Sequence, residues 1–177
     1  MAVSAIEEAS NFSFLKQPPH QPPLFSLASS AEQHYANDPN TCLLKLRQFG
    51  EAVARHLFAL AGIEEDARGS KQIDRLAEVQ RRDFIDRDIA GLLHLLRKEG
   101  NAAAHDFVGE QRDALAALRV GRQLAIWFPR AFGFPPGGFK PGPFVEPLDA
   151  QLQAGNIGPG NIQTLGAIGP RSPRLYS

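Results

Sequence analysis

The chain has 177 residues, and Lys plus Arg balances Asp plus Glu at 19 each, for a formal net charge of +0. That length holds one domain of ordinary size with room for a tail. The even balance argues against a dedicated polyanion binder but leaves room for a local basic face. A hydrophobic share of 43 % with 21 % charged residues excludes wholesale disorder. The single cysteine, Cys42, rules out an internal disulfide and a multi-cysteine metal site and fits a reducing cytoplasm. The opening MAVSAIEEAS has neither the basic start nor the apolar run of a secretory signal, and no stretch reaches the ~18 apolar residues of a membrane span. The expected location is therefore cytoplasmic, and the sequon at Asn11 is expected to stay unglycosylated.

Glycine and proline divide the chain. Beyond residue 132 stand 9 of the 16 glycines and 8 of the 14 prolines, too many for a regular core element. Pro18, Pro19, Pro22 and Pro23 crowd near the start, whereas 24–132 hold only Pro39 and Pro129. The expected organisation is an extended lead over 1–23, a helical bundle over 24–132 and a Pro/Gly-rich tail over 133–177, disordered beyond 153.

Within the bundle the apolar period is helical. A weak helix is predicted over 24–35. Asp38 as N-cap and Pro39 at the first helical position then open a long helix. Its inward residues are Leu43, Leu46, Phe49, Val53, Leu57 and Phe58, and Gly62 ends it. Arg47, Glu51 and Arg55 lie outside at spacing four, where ion pairs form. A further helix is predicted from a Ser70 cap to Arg81, with Ile73, Leu76 and Ala77 inward. The next covers 86–98 on Ile89, Leu92, Leu93 and Leu96, with Gly100 as its terminator. The last covers 110–132 on Ala114, Leu115, Leu118, Leu124, Ala125 and Phe128. No period-two alternation appears, so the fold class is all-α, a bundle of four to five helices. Residues 139–148, FKPGPFVEPL, form a Pro-spaced extended strip suited to a groove of the bundle.

There is no GxxxxGK[ST] loop, no GxGxxG, no HExxH and no paired CxxC, so no cofactor and no metal is expected. One constellation stands out over 92–106, LLHLLRKEGNAAAHD, which gathers Arg97, Lys98, Asn101 and His105. Asn101 and His105 stand four apart with three alanines between them, and share a face if the stretch is helical. In a functional reading His105 is a general acid or base on a phosphodiester, Asn101 orients it, and Arg97 or Lys98 holds the phosphate charge. In a structural reading Asn101 caps the junction after Gly100 and His105 bonds a backbone carbonyl. The second is favoured, because one His with one polar neighbour is an unspecific signal. His94 reads as a surface residue, Cys42 as a small buried hydrophobe, and Trp127, Phe128 and Phe132 as an apolar seam. Arg75, Arg81, Arg82 and Arg87 are interrupted by Asp74, Asp83, Asp86 and Asp88, which reads as a solvated face.

Several pieces match one family in order: Asn11-Phe12-Ser13-Phe14-Leu15, Glu32 with Tyr35-Ala36-Asn37-Asp38-Pro39-Asn40-Thr41, and Leu44-Lys45-Leu46-Arg47-Gln48-Phe49-Gly50-Glu51. Leu96-Arg97-Lys98-Glu99-Gly100-Asn101-Ala102-Ala103-Ala104-His105, Arg122-Gln123-Leu124-Ala125-Ile126-Trp127-Phe128 and Phe139-Lys140-Pro141-Gly142-Pro143-Phe144 continue the match. Over about residues 11–148 the chain resembles the N-terminal helical domain of type I restriction–modification R subunits, a domain of unknown function that is similar to the HEPN group. The resemblance implies an all-helical fold, a role in defence against foreign DNA, and restriction-complex subunits or nucleic acid as partners. Complete R subunits carry a nuclease and a translocase downstream, whereas this chain stops at Ser177, so a truncated equivalent lacking both is expected. Past Gln153 the Gly-rich, nearly uncharged terminus fits either a frameshifted reading or a genuine linker.

Ribonucleolytic HEPN proteins place an Arg, a polar residue directly after it, and a His after four to six residues. Asn101 and His105 match the polar and His positions, but Gly100 stands at the Arg position. Arg97 is separated from His105 by seven residues, and Lys98, at six, lacks the bidentate fork of arginine. The resemblance thus implies a degenerate site and a binding or docking module, with Arg97, Lys98, Asn101 and His105 as its nucleic-acid contacts. A metal-independent ribonuclease using His105 with Arg97 or Lys98 is the alternative.

Overall fold

A computed structural model of the chain describes residues 10–16, 22–63, 72–106, 109–133 and 141–147. The Ser70 cap, most of the expected lead and the tail beyond 153 lie outside these residues. A 3-10 turn, Ser13–Lys16, precedes five α-helices: α1 (Pro22–His34), α2 (Pro39–Leu60), α3 (Gln72–Arg81), α4 (Arg87–Asp106) and α5 (Gln111–Phe132). The fold is all-α, and no strand occurs among the described residues.

Helix α2 is the centre, with α1, α4 and α5 packed on it and α3 at one end. Its start is the expected one: Pro39 occupies the first turn, and Thr41 N donates to Asp38 Oδ1 at 3.0 Å. Its end is a Schellman turn, in which Gly62 at φ +64° lets Gly62 N reach Ala59 O and Ile63 N reach Phe58 O. Between them Leu43, Leu46, Phe49, Val53 and Leu57 are all buried, and each such side chain stabilises the bundle by roughly 1.5–3 kcal/mol. On the outer side Arg47 pairs with Glu51 at 2.8 Å, while Arg55 is exposed.

Helix α4 departs from expectation. It does not end at Lys98 but runs on through Gly100 to Asp106. Gly100 is no terminator; it is the point of closest approach to α2. A Cβ there would overlap Arg47 Cβ and come within 3.0 Å of the Leu43 carbonyl oxygen. A turn further along the antiparallel crossing, Gly50 of α2 receives Leu96, whose Cδ1 lies 3.5 Å from where a Gly50 Cβ would stand. Two glycines on opposite helices thus bring the backbones together, and Ile89, Leu93 and Leu96 are buried as expected.

Helix α3 also differs. Leu76 is buried, but Ala77 is exposed and Val79 takes the second inward position. A ten-residue helix resting on α2 and α4 by one edge buries only a narrow stripe, and spacing three from Leu76 selects Val79. The Ile73 side chain lies outside the described residues. Arg81 and Arg82 both pair with Glu78 on the solvated face. Helix α5 buries Ala114, Leu118, Leu124 and Ala125, and continues past Pro129 to Phe132. Trp127, Phe128 and Phe132 form the expected seam, closed by Phe84 stacked on Phe132 with ring centroids 6.3 Å apart. Cys42 is fully buried, and burial pushes its thiol up to about 12, the reverse of activation.

Candidate functional site

Because α4 is unbroken, the constellation over 92–106 lies on a single helix. Gly100, Leu96 and Ala103 face the core, and Arg97, Asn101 and His105 follow one another at steps of four along the adjoining face. Each step of four drifts by ~40°, so the row spirals outward over ~12 Å. Burial follows that spiral. Arg97 and Asn101 are half-buried, His105 is exposed, and Lys98 is exposed on the far side of the same row. His94, one turn before Lys98, is half-buried.

Neither structural role expected for the pair is present. Asn101 stands inside a continuous helix rather than at a junction, because Gly100 does not stop α4. His105 has no hydrogen bond among the described residues, whereas His34 and His56 each bond the carbonyl four residues back, at 2.7 Å. Arg97 is distinctive: its Nε is sealed from solvent and finds no acceptor among the described residues. An orphaned sealed donor costs about 1–3 kcal/mol, and the terminal nitrogens, which are not sealed, remain able to donate to a phosphate or carboxylate. Row and side chains together offer a guanidinium fork, an ammonium, an amide and an imidazole, all able to donate to phosphate oxygens.

The structure holds a second polar cluster, and it joins distant parts of the chain. The extended segment 141–147, which falls within the strip expected to line a groove, lies along α5 as a strap. Asn11 Nδ2 donates to Val145 O at 2.6 Å, and Val145 N donates to Asn11 Oδ1 at 2.8 Å. Arg122 Nη2 donates to both Pro141 O and Gly142 O at 2.7 Å, and its Nε donates to Asn11 O at 3.3 Å. The Tyr35 hydroxyl donates to Glu146 at 3.0 Å. From α1, Glu32 accepts from the Ser10 hydroxyl and from both the backbone and side-chain amides of Asn11. Burial raises the Glu32 carboxyl above its ordinary value, outweighing those hydrogen bonds and the charge of Arg122. Burial likewise raises the Tyr35 hydroxyl, with the Glu146 bond adding to it. Asn11, Glu32, Tyr35, Arg122 and the Phe-Lys-Pro-Gly-Pro-Phe strip all stand in the pieces that carry the family resemblance, but no local pattern marks them as partners of one another.

Among the described residues no three His, Cys, Asp or Glu side chains gather as a metal site, and no helix is long and apolar enough to cross a membrane. These features define a small helical domain with a donor-rich helix face and a clamp that ties both flanks of the bundle together. The chain belongs to the family described as Domain of unknown function (DUF4145), which matches residues 29–124. The "Type I restriction enzyme EcoKI endonuclease subunit" of Escherichia coli (strain K12) is 40 % identical over 121 residues, which make up 68 % of this chain and 10 % of that subunit. The chain thus carries a domain found on type I restriction R subunits and spans about a tenth of the length of this curated relative. No solved structure matches it.

Proposed function

We propose that this chain is an accessory docking domain of a type I restriction–modification system, HEPN-like in its helices and without catalysis of its own. It joins the other parts of the restriction complex, and Arg97, Lys98, Asn101 and His105 contact nucleic-acid phosphates. The observation that carries this reading is the 40 % identity to the endonuclease subunit. Two features of α4 support it. The position that a ribonucleolytic motif gives to arginine is Gly100, which packs against Leu43 and Arg47 and has no room for a side chain. The half-buried Arg97 holds its Nε sealed, leaving its terminal nitrogens as the donors a phosphate would meet.

The test pairs binding with cleavage, using the whole chain with duplex DNA and with single-stranded RNA. Binding is expected to be independent of sequence, to weaken with salt and to drop in Lys98→Ala, with both polymers left intact. RNA cleavage by the wild type that disappears in His105→Ala would overturn the docking reading in favour of a metal-independent ribonuclease.

A further inference from the structure

A cleft of about 420 Å³ opens between α5 and the strap, lined by Arg119, Arg122, Gln123, Ile126 and Phe144. We infer that it binds a nucleoside monophosphate unit, either free or as the phosphorylated end of a single strand. The site is on a different helix from the α4 row and stands independently of the docking proposal.

Arg122 carries the first part of the inference. It is only 8 % exposed, so its charge is held by the fold rather than by solvent. Of its five N–H donors, the Nε–H and the two on Nη2 are committed to Asn11, Pro141 and Gly142. The two donors on Nη1 take no acceptor among the described residues, and Nη1 is not among the sealed, unbonded atoms. That end of the guanidinium therefore leaves two donors for the cleft, while the charge is shared with Glu32 and lies 5.9 Å from the centre of the Phe14 ring. Beside it Arg119 is exposed and has no carboxylate partner among the described residues; its guanidinium lies 5.5 Å from the centre of the Phe144 ring. Two guanidiniums with free donors in one cleft call for an anion with several acceptor oxygens, which a phosphate supplies.

The remaining lining excludes a bare anion as the best occupant. Phe144 and Ile126 give the cleft flat and branched apolar surface, and Gln123 adds an amide that can both donate and accept. A planar heterocycle covers the apolar surface and meets the amide with its edge, as bases do on aromatic platforms. A volume of this size is within the range of sites that take one such unit. The Phe144 wall is fixed from both sides, by the Arg122 bonds to residues 141 and 142 and by the Asn11–Val145 pair, so the cleft is preformed.

The experiment is calorimetric titration of the whole chain with adenosine 5′-monophosphate, adenosine and inorganic phosphate, and with a 5′-phosphorylated oligothymidylate and its unphosphorylated twin. The monophosphate is expected to saturate and to bind more tightly than adenosine or phosphate alone. Arg119→Ala and Phe144→Ala should each weaken it about tenfold or more, as the loss of a charge-assisted bond or a stacking face requires. Arg87→Ala, exposed at the start of α4, should leave it unchanged. Helicity by circular dichroism confirms that each variant is folded, and Arg119 is exposed enough to be replaced without disturbing the bundle. Tighter binding of the phosphorylated oligomer than of the monophosphate identifies a strand end as the source; the reverse identifies a free nucleotide. Absence of saturable binding, equal affinity for the monophosphate and for inorganic phosphate, or affinity unchanged in both Arg119→Ala and Phe144→Ala overturns the inference.

Discussion

Gly100 of α4 lies directly against Arg47 of α2, so close that a Cβ on residue 100 would overlap the Arg47 Cβ. At this contact α4 runs on unbroken through the stretch that carries Arg97, Asn101 and His105. Gly100→Ala is expected to destabilise the domain by about 1–3 kcal/mol, because the strain of overpacking exceeds the gain in helix propensity. Gly91 on the same helix is exposed, and nothing lies within 4 Å of its Cβ position. Gly91→Ala should therefore stabilise by about 0.5–1 kcal/mol. Urea unfolding of the two variants checks both signs, and equal effects would contradict the packing assigned to Gly100.

The Asn11–Val145 pair closes a loop of 134 positions and fastens the strap. Asn11→Ala removes both of its bonds to Val145 and one donor to half-buried Glu32. A loss of about 1–3 kcal/mol is expected. Limited proteolysis should show cleavage near residues 141–147 before the helices are cut, whereas a protease pattern like that of the wild type would show that the strap is held by other contacts.

Glu32 sets a pH dependence whose sign is fixed by its burial. Its carboxyl is raised above the ordinary 4.5, so the folded chain keeps the proton to higher pH than the unfolded chain. Stability from this group is complete below about 4.5 and is lost as pH rises through the folded value. Glu32→Gln lacks that loss. Its stability relative to the wild type should rise between pH 4.5 and neutrality, measured by denaturant unfolding at each pH. A relative stability that falls over this window would reverse the assignment.

Cys42 should be inert in the native chain. It is fully buried and its thiol is pushed up to about 12, so almost no thiolate exists at pH 8. A disulfide-exchange reagent is expected to label it only after denaturation; rapid native labelling would place it outside the core.

Much of the fold was legible in the sequence because its causes are local. Asp38-Pro39 at the start of α2, Gly62 at its end and the apolar stripe between them are each specified within a few residues. The continuation of α4 was not legible. A glycine in a helix interior costs only about 1 kcal/mol, so a packing contact with residue 47 decides whether the helix stops. The α4 side chains were visible as a cluster, but their spiral from half-buried Arg97 to exposed His105 follows from the helix phase that Gly100 fixes. The Asn11, Glu32, Arg122 and Val145 cluster has bonds spanning 21 to 134 positions, and no local pattern encodes such partners.

The most direct test of the docking reading is size-exclusion chromatography of the whole chain with the other subunits of a type I restriction complex. Co-elution with those subunits is the expected result. Elution of the chain as a separate species at every concentration would contradict the central claim.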